Sequence, residues 1–338
     1  LKKVQPGEII KFGLNNSLSK KKYFNHSNEF IRNKKTRFNK EILAETDKII
    51  NESIRERLVA DVPVGIFLSG GLDSSLIAAI ASKYQPNINC FTLKFDNASY
   101  DESHYANLVT NNLKIKHNIF NINKKNLIKE WDNLNFYLDE PINDSSMLPT
   151  YILSKKSSDY VKVALTGDGC DELFAGYINF KSIFLSKLTQ KIKEDSYIDK
   201  AFKSLIDKLP NSYEYMNKKF LLKQFSKTFG KNENLHSLYA MSSFSGNELK
   251  RILNTKIDEK LIFEEIDILN NFNKDKLSAL ENLQLQFLSF YLPDNILTKS
   301  DRSSMYNSIE LRSPFLSNKL SKMSFNIEFN SKLKKLYF

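Results

Sequence analysis

The sequence predicts an α/β protein, a doubly wound parallel sheet with an appended α-helical lobe. Three observations carry that expectation. Short continuous apolar runs alternate with helical spacings between residues 39 and 180, a glycine-rich turn joins one such run to the helix after it, and strand signals fade after Tyr177.

Residues 1–38 are rich in Lys and Asn, and a turn at Pro6-Gly7 precedes the apolar residues Ile9, Ile10 and Phe12. They read as a strand remnant and a linker. From Asn39 the apolar residues Ile42, Leu43, Ile49, Ile50, Ile54 and Leu58 recur near helical spacing, and that helix stops before Pro63. An apolar strand over 64–68, a glycine turn and a helix from about 74 to 84 come next. The alternation continues with a strand over 90–95, a helix over 101–113, a strand over 116–122, a helix over 127–138 and a strand over 161–166. Beyond Tyr177 helical spacings dominate, through Phe184, Leu185 and Leu188 and again through Leu277, Leu280, Leu283 and Phe287. The expected divisions are 1–38, 39–180 for the α/β core, and 181–338 for the helical part.

The 338 residues suggest about two domains. With 41% hydrophobic and 26% charged residues the composition is that of a folded protein, and no run of 18 apolar residues is present to span a bilayer. Lys and Arg (50) exceed Asp and Glu (39) by 11, but the surplus is scattered, as at Lys20–Lys22 and Lys124–Lys125, without interleaved aromatics. It reads as solvated surface rather than as a nucleic-acid platform. The only cysteines, Cys90 and Cys170, lack zinc spacing, and a reducing cytoplasmic setting fits them. The histidines His26, His104, His117 and His236 are too dispersed to suggest a ligand set, and Trp131 reads as a core or rim residue. The first residue is Leu, which implies a longer parent chain.

Two loops carry chemistry. The run Ser69-Gly70-Gly71-Leu72-Asp73-Ser74-Ser75 follows a strand and opens a helix. Glycines allow a tight turn and close backbone approach, the helix start offers unpaired N–H groups, and serines add donors, so the loop suits an anion. It has no Walker lysine. Asp73 within it would repel phosphate unless a divalent cation lies between them, which implies Mg²⁺. The second loop, Gly167-Asp168-Gly169-Cys170-Asp171-Glu172, follows another strand and brings three carboxylates together. By itself it equally suits an ordinary capped turn; beside an anion site it suits a shared metal. A third segment, from Leu292 to Leu316, contains Glu310 and Arg312, which could simply pair, and Pro314, which could end a helix.

Together these segments closely resemble the synthetase domain of the asparagine synthase family, in the ATP pyrophosphatase loop group, whose fold is adenine nucleotide α-hydrolase-like. Tyr100-Asp101-Glu102, the stretch from Asp139-Glu140-Pro141 to Tyr151, the run from Val161 to Tyr177 and the run from Asp301 to Leu316 look like family signatures in family order. The resemblance covers roughly residues 40 to 325. It implies an ATP-dependent ligase that adenylates the aspartate side-chain carboxylate and lets ammonia, drawn from glutamine, displace AMP to give asparagine. By that similarity Leu68, residues 69–75, Leu93, Thr166 and Gly167 would bind the nucleotide, Asp73 and Asp171 would hold Mg²⁺, and Asp168 would face the reacting centre. Val4 to Ile10 looks like the tail of an N-terminal glutaminase domain, and the family places a functional lysine beyond Phe338. The expected partners are small molecules, not membrane or nucleic acid, with room for a homodimer. Asp168 stands where dedicated asparagine synthetases often carry Glu, which leaves open a sibling amidotransferase acting on a sugar acid of a surface polysaccharide. An RNA-modifying relative shares the loop type but resembles the acidic loop and the 301–316 segment less well.

Overall fold

The computed structural model describes residues 3–15, 17–25, 28, 29, 31, 36, 39–136, 138–142, 144–178, 180, 189–193, 195–212, 214, 216–231, 235, 236, 239, 242–244, 246–253, 264 and 276–333. Two compact units are present. The first comprises 1–6, 33–174 and 289–328, and the second 7–32, 175–288 and 329–338.

The first unit is built on a five-stranded parallel sheet. Helix α1 (Lys40–Arg57) begins at Asn39, whose side chain accepts from Ile42 N at 2.8 Å, and it leads into β1 (Val64–Phe67). There follow α2 (Leu72–Tyr84), β2 (Asn89–Phe95), α3 (Ser103–Leu113), β3 (Lys116–Ile122), α4 (Lys124–Phe136), α5 (Met147–Ser157), β4 (Val163–Leu165) and the short α6 (Cys170–Phe174). A π-helical stretch at Phe287–Leu297 precedes α7 (Thr298–Met305), β5 (Glu310–Arg312), a 3₁₀ turn at Pro314–Leu316 and α8 (Asn318–Asn326).

The strand order is β3-β2-β1-β4-β5. The chain thus runs outward from β1 through β2 to β3, then returns to add β4 on the other side of β1. That reversal is the switch point at which ligands of such sheets bind, beyond the carboxyl ends of the strands. Successive residues face opposite layers. Val64, Ile66, Leu68, Cys90, Val163 and Leu165 pack with α1 and α2, while Phe91, Leu93, Ile122 and Ala164 lie in the clusters on the other face, among them one with Met147, Tyr151 and Ile152 of α5. The doubly wound expectation holds.

Three elements differ from the sequence reading. Helix α2 starts at Leu72 rather than near 74, because Gly71 supplies the extended N-cap backbone and brings Leu72 and Asp73 into the first turn. Helix α5 was not expected; it buries Met147, Tyr151, Ile152, Ser154 and Ser157 around much of its circumference, which blurs its periodicity. Strand signals do not end near Tyr177. Three residues pair parallel to β4 as β5, with Val163, Ala164 and Leu165 opposite Glu310, Leu311 and Arg312, and Pro314 starts a turn rather than ending a helix.

In the second unit, Glu8–Phe12 and Leu18–Lys22 form an antiparallel hairpin where a strand remnant and linker were expected. Its helices include Tyr197–Asp207, Lys218–Ser226 and Ala279–Gln286. Phe184, Leu185, Leu188 and His26 lie outside the described residues. No helix among the described residues is long and apolar enough to cross a membrane.

His236 is fully buried in this unit, and neither ring nitrogen has a hydrogen-bond partner among the described residues. Burial pushes its pKa down to about 4. Because the folded-state value lies below the unfolded one, protonation favours unfolding. This contribution to stability is present above pH 6.5 or so and is lost as pH falls toward 4, by up to about 3 kcal/mol. Denaturant unfolding at pH 7 and pH 4.5 should show a smaller acid loss for His236→Phe than for the unsubstituted chain. Equal losses would dismiss the histidine as the cause.

Candidate functional site

The two predicted loops meet at the switch point. Ser69, Gly70 and Gly71 leave β1 and turn into α2. Gly70 has φ +85°, and a Cβ there would lie 2.5 Å from Ala106 N and 2.6 Å from Tyr105 Cβ, so the loop rests directly on the backbone of α3. Gly71 is the N-cap of α2 and no side chain caps that helix. The serines brace the loop instead: Ser69 Oγ accepts from Gly71 N at 3.1 Å and meets Ser74 Oγ at 3.1 Å. Ser75 Oγ is buried without a partner among the described residues. An uncapped helix start behind a glycine turn presents N–H groups and positive dipole to an anion.

The acidic loop lies against it. A Cβ on Gly167 would come 3.2 Å from Asp73 Cβ and 3.6 Å from Ser74 N, so glycine lets the two loops pack closely. Burial raises the Asp73 pKa, and a hydrogen bond with Cys170 opposes the rise. Asp171 is raised to about 6, first by burial and then by the negative charge of Asp73. The Cys170 thiol is pushed far up by burial and by the same two carboxylates. Neither Asp73 nor Asp171 has a lysine or arginine at ion-pair distance among the described residues. Two carboxylates without a lysine or arginine partner among the described residues, beside an uncapped helix start, have the chemistry of a hard divalent-cation site. No group of three His, Cys, Asp or Glu among the described residues is placed to hold a metal alone. Glu172, the third carboxylate of the motif, is turned into the interior, 1% exposed.

Asp168 has hydroxyl partners. Its Oδ2 accepts from Thr166 Oγ1 at 3.1 Å and from Ser300 Oγ of α7 at 2.9 Å. With the Thr166 proton so used, Ser313 Oγ donates to Thr166 at 3.0 Å. Gly169 has φ +92°, and a Cβ there would overlap the Leu316 side chain. Nothing in a lone serine signals a partner 132 or 147 residues away, so the sequence does not mark Ser300 or Ser313. Leu68 stands at the end of β1 with its N–H donating to Phe91 O at 2.9 Å, and Leu93 lies within β2, in register with Phe120.

Other motif residues bond to protein groups. Asp101 accepts from Ser103 N and Ser103 Oγ, each at 3.1 Å, at the start of α3. Arg302 of α7 makes a two-pronged bond to Asp139, both at 2.9 Å, and Glu310 pairs with Arg312 at 2.8 Å.

A family model described as asparagine synthase matches residues 45–337. The chain belongs to the asparagine synthase family. Among curated members similar to it is glutamine-hydrolysing asparagine synthetase 1 of Bacillus subtilis, 26% identical over 316 residues, covering 94% of this chain and 48% of that protein. A putative glutamine-hydrolysing asparagine synthetase of Mycobacterium tuberculosis is 29% identical over 282 residues, covering 80% of this chain and 40% of that protein. Amidase chyE of Penicillium rubens is 27% identical over 326 residues, covering 89% and 48%. The chain spans less than half the length of each of these relatives.

Proposed function

We propose that this chain is the synthetase portion of an ATP-dependent, amide-forming ligase that makes asparagine from aspartate. In the overall reaction the aspartate side-chain carboxylate takes AMP from ATP with release of pyrophosphate, and ammonia, supplied from glutamine by the parent protein, then displaces AMP. The observation that supports this reading is the contact of the two loops, where Gly167 packs on Asp73 at the uncapped start of α2 and the charge of Asp73 reaches Asp171.

Residues 69–75 hold the pyrophosphate portion of ATP, with the backbone of Leu68, Leu93, Thr166 and Gly167 around the adenosine. Asp73 and Asp171 hold Mg²⁺, which when bound neutralises charge on the phosphates and the leaving group. Fixed N–H groups at the helix start stabilise the charge that grows on pyrophosphate as it departs. Asp168, anchored by Thr166 and Ser300, faces the acceptor. Carbon–nitrogen ligation accords with family membership, and the setting is cytoplasmic in this reading.

Pyrophosphate release by the full-length protein, with ATP, Mg²⁺, ammonia and aspartate, tests the proposal. No release with any carboxylate would reject the ligase. Release with a uronic acid but not with aspartate would select the sugar-acid alternative, which the shorter Asp168 leaves open. Ser300→Ala should slow turnover about three- to tenfold by removing one of the two hydroxyls that hold Asp168 Oδ2, with little change in melting temperature. Unchanged turnover would remove Ser300 from the site.

A further inference from the structure

We propose, on the nucleotide reading above, that His117 is a positioning residue that orients the anion loop through Thr92. Beyond the last ladder pair of β1 and β2, the carbonyl of Leu68 stands immediately before Ser69. It accepts a hydrogen bond of 2.6 Å from Thr92 Oγ1, itself 3% exposed. A carbonyl only accepts, so the single hydroxyl proton of Thr92 is committed to it. The Thr92 oxygen is then an acceptor, and the group facing it is His117 Nε2 at 2.8 Å. Nε2 therefore carries a proton.

The other ring nitrogen is held as well. His117 Nδ1 lies 3.0 Å from Asn107 Oδ1, whose amide oxygen and nitrogen exchange by a simple flip, and 3.2 Å from Thr110 Oγ1, whose own proton goes to the helix carbonyls of Ala106 and Asn107. With the ring neutral, Nδ1 accepts from the Asn107 amide group turned to present its N–H. Protonation of Nδ1 would leave Nε2–H in place, so the direction of the relay is the same in either state.

The relay has a purpose beyond filling the interior. Helix α3 fixes the loop at two neighbouring points, by backbone contact at Gly70 through Tyr105 and Ala106, and at Leu68 through Asn107, His117 and Thr92. Without the hydroxyl, the last carbonyl before the loop would be buried and unpaired, and rotating that peptide toward another donor would swing the N–H of Ser69 with it.

Equilibrium binding of ATP with Mg²⁺ to the full-length protein tests the inference, with melting temperature recorded for each variant. Thr92→Val should weaken ATP binding about three- to tenfold and Thr92→Ser should restore it. His117→Leu should weaken it similarly, while His117→Gln, which offers an amide N–H near the position of Nε2–H, should recover most of the affinity. Should Thr92→Val fail to fold, the His117→Leu and His117→Gln pair carries the same contrast. A merely structural role predicts lower melting temperatures with unchanged ATP affinity in every folded variant, and that result overturns the inference. Absence of ATP binding by the unsubstituted protein would overturn the nucleotide reading itself, and this inference with it.

Discussion

Asp73→Asn is expected to reduce pyrophosphate release from ATP about a thousandfold in the full-length protein, with the fold intact. The change keeps shape and volume and removes one charge from the carboxylate pair. Asp171, raised to about 6 by burial and by Asp73, should then titrate closer to an ordinary carboxylate, because its repelling neighbour is gone. Like charges with no lysine or arginine partner among the described residues cost stability, so the melting temperature of the metal-free protein should stay level or rise. Loss of turnover with equal or higher stability separates a ligand-holding carboxylate from a structural one. A variant that retains turnover would show that Asp73 is dispensable, and the metal reading of the pair would fall.

Gly70→Ala is expected to cost about 2–4 kcal/mol of stability and more than tenfold in ATP affinity. The added Cβ would need a left-handed backbone at φ +85° and would press on Ala106 N at 2.5 Å and Tyr105 Cβ at 2.6 Å. Two of the atoms it meets belong to the backbone of α3, so no rotamer relieves the overlap and the loop must lift away from the helix. Gly71→Ala is the internal control. Its φ is −66°, and its Cβ would meet only Ser69 Oγ at 3.2 Å, at the end of a rotatable side chain. Denaturant unfolding of both variants should show a large loss for the first and less than about 1 kcal/mol for the second, and ATP titration of the first should show its loss of affinity. Equal behaviour would mean that contact with α3 does not shape the loop.

Much of the first unit was legible because its signals are local. Runs such as Val64–Phe67 and the centre of Asn89–Phe95 are buried on both faces since helices cover both. Ser69 to Ser75 was legible because glycine and serine at a strand-to-helix junction have a short-range physical meaning. Helix α5 and strand β5 were not. The first is buried too widely to show one apolar face, and the second is three residues long and exists because β4 offers an open edge.

The sequence by itself determined the parallel α/β core, the two loops at its strand ends and the family to which they point, because each rests on residues adjacent in the chain. Only the tertiary structure decided which acids face each other. It set Asp73 against Asp171, turned Glu172 inward, and tied Asp168 to Ser300 and Leu68 to His117. Those pairings depend on how distant segments close on one another, and spacing along a chain carries no record of proximity across it.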